Sequence, residues 1–564
     1  MPTWQKGRRV TALFERSGRP AVAPHSPLTF FRIPPFPGAQ VTAFTPEADS
    51  DRVAPPFADG LALLREMRVG GTFWGHQPQL PDRCLIVRSL DLAIKAPSEA
   101  AGAPLIRWTF DGQPSGDAIV GDCDPWHMLR DAVGLVCHAE DEVRLVAALL
   151  GVATYIVEPD GELRHGDEAE RAALLSDALP LAARFANPFG GDPLSLFELI
   201  ELCGFWRGLI DGNRDIVGAQ GFAFWKRKTV LPLLWDGGGS NLFSDGGDRS
   251  GDQGAIAVWR SKVPSEAMAE LERRGVPLVE VEDGFLRSTG LGADCVPPLS
   301  ITVDRLGAYF DPGRMSELEE LLEYDEIAPA LVARAEAIRR VIVAAGLGKY
   351  GSSKEKIARF DTEKRHILVP GQVEDDRSVM TGGGGLTTNR ELLERVRKRE
   401  PEAFIIYKPH PDVVAGHRIG LIPDQICRLL ADIVVTDRPI SALIDMVDDV
   451  HVNTSLAGFE ALMRHKNVTT HGVPFYAGWG LTRDLGPVPA RRTRRRSLDE
   501  LVAATLLLYP RYLDPLSGLP CPAEVVVDRL TRPGTSRVGA LVRLRRAEGR
   551  MRAMLSGWRA KARR

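Results

Sequence analysis

A chain of 564 residues is too long for one ordinary hydrophobic core, so two or more domains are expected. Hydrophobic residues at 44% and charged residues at 26% are the balance of a water-soluble globular protein, and a formal charge of −3 supplies no global field for nucleic acid. Seven scattered cysteines without a Cys-x-x-Cys pair argue against a disulfide framework, and no stretch reaches the ~18 apolar residues of a transmembrane helix.

The first 40 residues are rich in Pro, Arg and Phe but hold no continuous apolar run, so no secretory signal is expected and the protein reads as cytoplasmic. Residues 1–210 carry a faint echo of the later chain. Residues 137–152 (CHAEDEVRLVAALLGV) parallel 453–468 (NTSLAGFEALMRHKNV), and 187–193 parallel 514–520 at nearly the same offset. A shortened, degenerate copy of a later module is expected there. It lacks catalytic motifs, since Ala139 stands against Ser455 and Arg144 against Glu460.

From about Asp215, short apolar runs at 276–281, 366–369, 404–407, 433–436 and 450–452 read as strands. Helical patterns at 265–274, 328–345, 390–399 and 456–464 lie between them. Such alternation predicts βαβ units with parallel sheets, an α/β fold. A charged stretch with Gly and Ser at 346–364 divides the region into expected domains at 211–350 and 351–530. Residues 531–564 carry eleven Arg or Lys against one acid, Glu548, with apolar residues at helical spacing up to Trp558. That pattern predicts a basic amphipathic helix lying on anionic lipid.

Four polar motifs each follow an expected strand: Glu282-Asp283-Gly284, Gln372-Val-Glu-Asp-Asp376, Lys408-Pro-His-Pro411 and Asn453-Thr-Ser455. Ligands of open α/β sheets bind where such loops converge. Thr454 and Ser455 open a helix whose N–H groups and hydroxyls suit a phosphate, and Glu460 farther along suits a ribose diol. An ordinary helix cap is the alternative. Prolines on both sides of His410 fix its backbone, and a held imidazole beside Lys408 can neutralise a leaving phosphate. Glu282, Asp283, Glu374, Asp375 and Asp376 are carboxylates for nucleophile and acid/base duties, or else solvated loop residues.

No spacing matches a zinc set, and the Asp-Asp pair needs no Mg²⁺ when Lys, His and a helix terminus are at hand, so no metal is expected. Residues 382–385, four glycines without the Lys of a P-loop, read as a mobile loop before a helix cap at Thr387-Thr-Asn389. The run 491–496 reads as solvated, or as a holder of an anionic acceptor. His366, His417, His451, His465 and His471 read as structural.

Together the strings EDGFLRS, QVEDD, KPHPD, NTSLAGFEAL and PFYAGWGLT resemble the capsule polysaccharide biosynthesis family of KpsC/LipB type over about 221–528. The resemblance implies a GT-B fold, two Rossmann-like domains facing a cleft. It implies retaining transfer of β-Kdo (3-deoxy-D-manno-oct-2-ulosonic acid) from CMP-Kdo to a phosphatidylglycerol-based lipid acceptor. The place implied is the inner face of the cytoplasmic membrane, among other capsule biosynthesis proteins, with no cofactor and no nucleic acid. Asp375 is then the nucleophile, with Asp376 the neighbouring choice. Glu282 is the acid/base, with Asp283 the neighbouring choice. His410 and Lys408 hold the CMP phosphate with Thr454 and Ser455 behind it, and Glu460 binds the ribose. Gln372, Glu374 and Asn453 complete the donor side, while Asp283, Arg287 and Asp376 are accessory or face the acceptor. Longer members carry two working modules, whereas only the second module here keeps the motifs, so one linkage type is expected. The competing readings are another transferase of a nucleotide-activated acidic sugar and a non-catalytic capsule assembly or export factor.

Overall fold

The computed structural model describes residues 30–532 apart from 48–55, 89–96, 110–117, 179–180, 240–241, 244–253, 289–295, 349–350 and 354. Nearly all of the basic tail read from the sequence (533–564) lies outside the described residues. The chain forms two compact units. One is Met1–Asp215 with Leu234–Ser240 and Leu516–Leu519, and the other is Ile216–Leu233, Asn241–Pro515 and Pro520–Arg564.

In the first unit, β1 (Leu85–Val87), β2 (Leu105–Thr109), β3 (Ala118–Val120), β4 (Gly134–Cys137), β5 (Thr154–Val157) and β6 (Leu163–His165) form one sheet in the order β3-β2-β1-β4-β5-β6. All neighbours are parallel except β5 and β6. The central strands Leu85-Ile86-Val87 and Leu135-Val136-Cys137 are buried throughout, as strands covered on both faces must be. Helix α1 (Val143–Leu150) follows β4. A hairpin of β7 (Arg184–Phe185) and β8 (Leu194–Ser195) turns at Asn187, whose Oδ1 accepts the Phe189 N–H, and leads into α2 (Leu196–Asp211).

The second unit contains two six-stranded sheets. One begins with β9 (Ile216–Gln220), helix α3 (Phe224–Val230), β10 (Ala255–Val258), β11 (Leu278–Asp283) and β12 (Ser300–Asp304), followed by α4 (Glu317–Glu323). The other consists of β13 (His366–Pro370), β14 (Phe404–Lys408), β15 (Ile433–Val434), β16 (Asp449–Val452), β17 (Asn467–Thr470) and β18 (Arg483–Asp484). The chain then returns to the earlier sheet through β19 (Pro510–Leu513) and β20 (Pro520–Cys521), giving the order β9-β10-β11-β12-β19-β20. The sheet of β13 to β18 is parallel throughout, in the order β15-β14-β13-β16-β17-β18. The other sheet is parallel only from β9 to β11 and antiparallel beyond. It therefore departs from the wholly parallel expectation. The 284–299 connection shows no helix among its described residues, and β12 returns alongside β11 instead of crossing over.

The all-parallel sheet has the same strand order as the sheet of the first unit. The residue match read from the sequence is shifted, however. β4 ends at Cys137 and α1 begins at Val143, while β16 ends at Val452 and its following helix begins at Leu456. By element position Glu460 therefore corresponds to Ala147, not to Arg144, which instead bonds the Ala139 carbonyl and Glu170. The hairpin match fares better. Asn187 turns β7–β8, and Asp514 lies between β19 and β20, where it is buried and paired with Arg529 at 2.8 Å.

The reading of 491–496 as a solvated run does not hold. Arg492 is buried and pairs with Glu319 at 3.0 Å, and it also donates to the carbonyls of Pro474 and Ala477. Arg496 donates to Leu322 and Asp325 carbonyls at 2.7 Å each, and the Thr493 N–H bonds Glu323. The acids of α4, some 170 residues earlier in the chain, draw the run inward. Breaking a buried pair strands a charge, so Arg492→Ala should cost about 3–5 kcal/mol in urea denaturation. Arg494→Ala, whose partner Glu326 is exposed, should cost less than about 1 kcal/mol.

Candidate functional site

The order of the parallel sheet reverses between β13 and β16, the place where such sheets bind ligands. Gln372, just past β13, spans this point. Its Nε2 donates to Thr454 Oγ1 and its Oε1 accepts the Thr454 N–H, both at 2.9 Å. Its backbone N–H and carbonyl are in turn bonded by the Asn389 amide, at 2.8 and 2.7 Å. Asn389 opens α6 (Asn389–Arg399), and its own N–H donates to Glu374 at 2.8 Å. Asn453 is buried and donates to the Leu386 carbonyl. Gln372, Glu374, Asn453 and Thr454, read from the sequence as ligand groups, thus brace the loops that carry the site. The Thr454 hydroxyl and N–H meet Gln372. Ser455 caps α8 (Leu456–Met463), and its carbonyl accepts the Tyr476 hydroxyl. Gly458 makes that contact possible, because a Cβ there would sit 2.2 Å from the Tyr476 oxygen.

Of the glycines at 382–385, read from the sequence as a mobile loop, Gly382 and Gly383 are buried, while Gly384 and Gly385 are exposed. Gly382 ends α5 (Arg377–Gly382), and a Cβ on it would press on Thr454 and on the Phe310 and Val473 carbonyls. The expected cap is present as a capping box between Thr388 and Glu391.

Lys408 is the last residue of β14, buried, with Nζ donating to the Thr436 carbonyl at 3.3 Å, and burial lowers its pKa. His410 caps the turn α7 (Pro411–Val414), and its Nδ1 accepts the Asp412 N–H at 3.1 Å. The neutral ring then carries its proton on Nε2. Of the five histidines read as structural, His417 is exposed and the other four have packing partners. His451 and His471 face each other at 3.2 Å, and burial pulls them down to about 3 and about 4. His366 bonds the Lys364 carbonyl, and His465 meets Arg339.

Glu282 and Asp283 belong to β11 itself, not to a following loop. Strand alternation sends them to opposite faces. Asp283 is held by Lys226 at 3.1 Å and Arg287 at 3.0 Å. Lys226 lies 3.2 Å from the centroid of the Trp259 ring, and burial brings it down to about 8. Glu282 faces Arg377, whose Nη1 lies 3.0 Å from Oε1, while Nη2 reaches Glu280 at 3.3 Å. Burial pushes Glu282 up to about 7. Such a carboxyl exchanges a proton near neutral pH, as a general acid/base must. Gly284 follows because a Cβ there would meet Ser300 Oγ at 2.3 Å.

Asp376 caps α5, directly before Arg377, and its Oδ2 accepts the Ser378 hydroxyl at 3.0 Å. Asp375 is half exposed and engaged by Arg418 at 2.8 Å. Glu460 is buried beside Leu347, Gly348 and Phe285. A Cβ on Gly348 would meet both of its oxygens at 3.1 Å. The structure thus brings the 372–377 loop to Glu282 through Arg377. Two residues passed over in the sequence join this site. Arg377 follows the Asp-Asp pair directly, so motif adjacency was the available signal for it, and Lys226 lies in residues 221–227 (GFAFWKR), where the family resemblance begins.

The family model "Capsule polysaccharide biosynthesis protein" matches residues 254–512. Capsule polysaccharide modification protein LipA of Neisseria meningitidis serogroup A is 38% identical over 357 residues, 62% of this chain and 50% of LipA. Lipopolysaccharide-processing protein LpsZ of Rhizobium meliloti is 47% identical over 262 residues, 46% of this chain and 59% of LpsZ. The chain spans about half the length of LipA. A solved β Kdo 2,7 transferase structure of Thermosulfurimonas dismutans KpsC is 34% identical, covering 56% of this chain and 98% of that one, with a TM-score of 0.45. The β Kdo 2,4 transferase of the same protein is 35% identical, covering 49% and 86%, with a TM-score of 0.44.

A carboxyl with a raised folded-state pKa destabilises the fold as pH climbs from its ordinary value near 4.5 to about 7. Urea midpoints of wild type and Glu282→Gln should therefore diverge over that window. The Gln variant should gain, in relative terms, up to about 3 kcal/mol by pH 7.5. A difference that stays constant with pH would contradict the assignment.

Proposed function

The chain belongs to the capsule polysaccharide biosynthesis protein family, and from that premise we propose a retaining glycosyltransferase that moves β-Kdo from CMP-Kdo to a lipid-linked acceptor. The observation that carries this reading is Glu282, a carboxyl titrating near 7 and joined through Arg377 to the loop that bears Asp375 and Asp376. A GT-B arrangement of the second unit fits it, with the sheet of β13 to β18 on the donor side.

In the reaction, an aspartate attacks the anomeric C2 of Kdo, the C–O bond to phosphate breaks, and CMP leaves. The acceptor hydroxyl then attacks C2, Glu282 takes its proton, and the aspartate is released. Two inversions give net retention. Of the two aspartates, Asp376 is the stronger candidate, because Asp375 is engaged by the Arg418 guanidinium while Asp376 accepts only a serine hydroxyl among the contacts described. Asp283, held between two cations, orders Lys226 and Arg287. His410 Nε2–H and Lys408 serve the CMP phosphate, Ser455 stands behind them, and Glu460 serves the ribose.

No metal is needed in this scheme. The first unit, without an acid at the position of Glu460, contributes no transfer of its own, so the chain makes one linkage type. Among the described residues no helix is long and apolar enough to cross a membrane. Contact with lipid is peripheral in this reading, with the basic tail on the anionic inner face of the cytoplasmic membrane and other capsule proteins beside it.

Purified protein with CMP-Kdo generated in situ and a synthetic Kdo-glycolipid tests the scheme. Transfer should persist in EDTA within about twofold. Asp376→Ala should lose at least about 1,000-fold in kcat while still binding CMP, and Asp375→Ala should lose less. His410→Ala should weaken CMP binding by about tenfold, or 1.4 kcal/mol. Loss of transfer on chelation, restored by Mg²⁺, would give the Asp pair a metal-site role instead.

A further inference from the structure

We propose that Arg377 is a positioning residue that orients Glu282 and governs its protonation; this rests on the reading of Glu282 as the acid/base. The guanidinium is carried by the first residue of α5, so the helix capped by Asp376 delivers a cation to the carboxylate on the other sheet. Its second nitrogen reaches Glu280, and its Cζ lies 5.0 Å from the centroid of the Phe310 ring. Three attachments, two on β11 and one on Phe310, leave the side chain little freedom.

The charged groups around Glu282 make this one contact decisive. Glu280 and Asp283 lie on its own strand, Lys226 comes from α3, and Arg377 from α5. Lys226 is committed to Asp283, as is Arg287. Glu280 is buried and already held by Arg260 at 2.9 Å and Arg314 at 2.6 Å, so its charge is compensated without Arg377. Among the described contacts, Glu282 draws its direct cationic support from Arg377. Burial favours the protonated acid, and the guanidinium opposes it. Because the same loop bears the proposed nucleophile, any shift of α5 relative to β11 changes the charge of the acid/base. The approach of the nucleophile and the readiness of the base to take a proton are thereby coupled.

The test uses the full chain as wild type, Arg377→Ala, Arg377→Gln, Arg377→Lys and Glu282→Gln. Urea midpoints against pH should show an inflection that Glu282→Gln removes. In Arg377→Ala and Arg377→Gln that inflection should move up by about one pH unit or more, and Arg377→Lys should bring it part of the way back. The corresponding limb of kcat/KM against pH should move with it. A loss of activity or stability with the inflection unmoved would overturn the proposal, since a merely structural arginine gives that result. If the inflection moves but Glu282→Gln retains the wild-type pH–rate limb, Arg377 still governs Glu282, and the acid/base reading is what fails.

Discussion

The reciprocal hydrogen bonds between the Gln372 amide and Thr454 hold the two loops on which the rest of the site is built. They cross the parallel sheet where its strand order reverses, and each end is buried. A hydrogen bond of this kind contributes only about 1 kcal/mol net, but leaving its partner unpaired in the interior costs about 1–3 kcal/mol. Asn389 satisfies the backbone of Gln372, and Glu374 satisfies the backbone of Asn389. After this sequence of braces come Asp375, Asp376 and Arg377, of which Arg377 reaches Glu280 and Glu282 on β11 while Asp375 meets Arg418. The polar residues nearest the strand thus hold the loops, and the proposed chemistry falls to those just beyond.

Charge is distributed by the same logic. Glu280 and Glu282 lie on one face of β11, two residues apart, yet their surroundings differ. Glu280 is met by three guanidiniums and Glu282 by one. A buried carboxylate stays ionised when cations surround it and moves toward the neutral acid when they are scarce. Asp283, on the opposite face, is held between Lys226 and Arg287. Of three acids within four residues, two are thus held by several cations each, while Glu282, met by one, is pushed by burial up to about 7.

How much of this the sequence disclosed depends on how far apart the partners lie. The buried strands at 366–370 and 449–452 were legible from their apolar residues, Ile367 to Val369 and Val450 with Val452, and the Thr388 cap because its partner Glu391 is three residues away. The strand end at Glu282-Asp283 was not legible, because two acids read as loop unless their cations are known, and Arg377 comes 95 residues later. The arginine run at 491–496 was misread for the same reason, its acids lying on α4. The bracing role of Gln372 was not legible, because Thr454, its partner, is 82 residues away. Convergence of the motifs could be inferred from the chain. Which of them face each other, and which face a ligand, could not.

The central claim is that the loop after β13 supplies a carboxylate that becomes bonded to the sugar. Intact-protein and peptide mass spectrometry after mixing the Glu282→Gln protein with CMP-Kdo, without acceptor, tests it most directly. The account predicts a mass increase of one Kdo residue on the peptide containing Asp375 and Asp376, located at Asp376 and absent from Asp376→Ala. A protein that turns over CMP-Kdo to glycolipid product at an undiminished rate in the Asp375→Ala, Asp376→Ala double variant would contradict it.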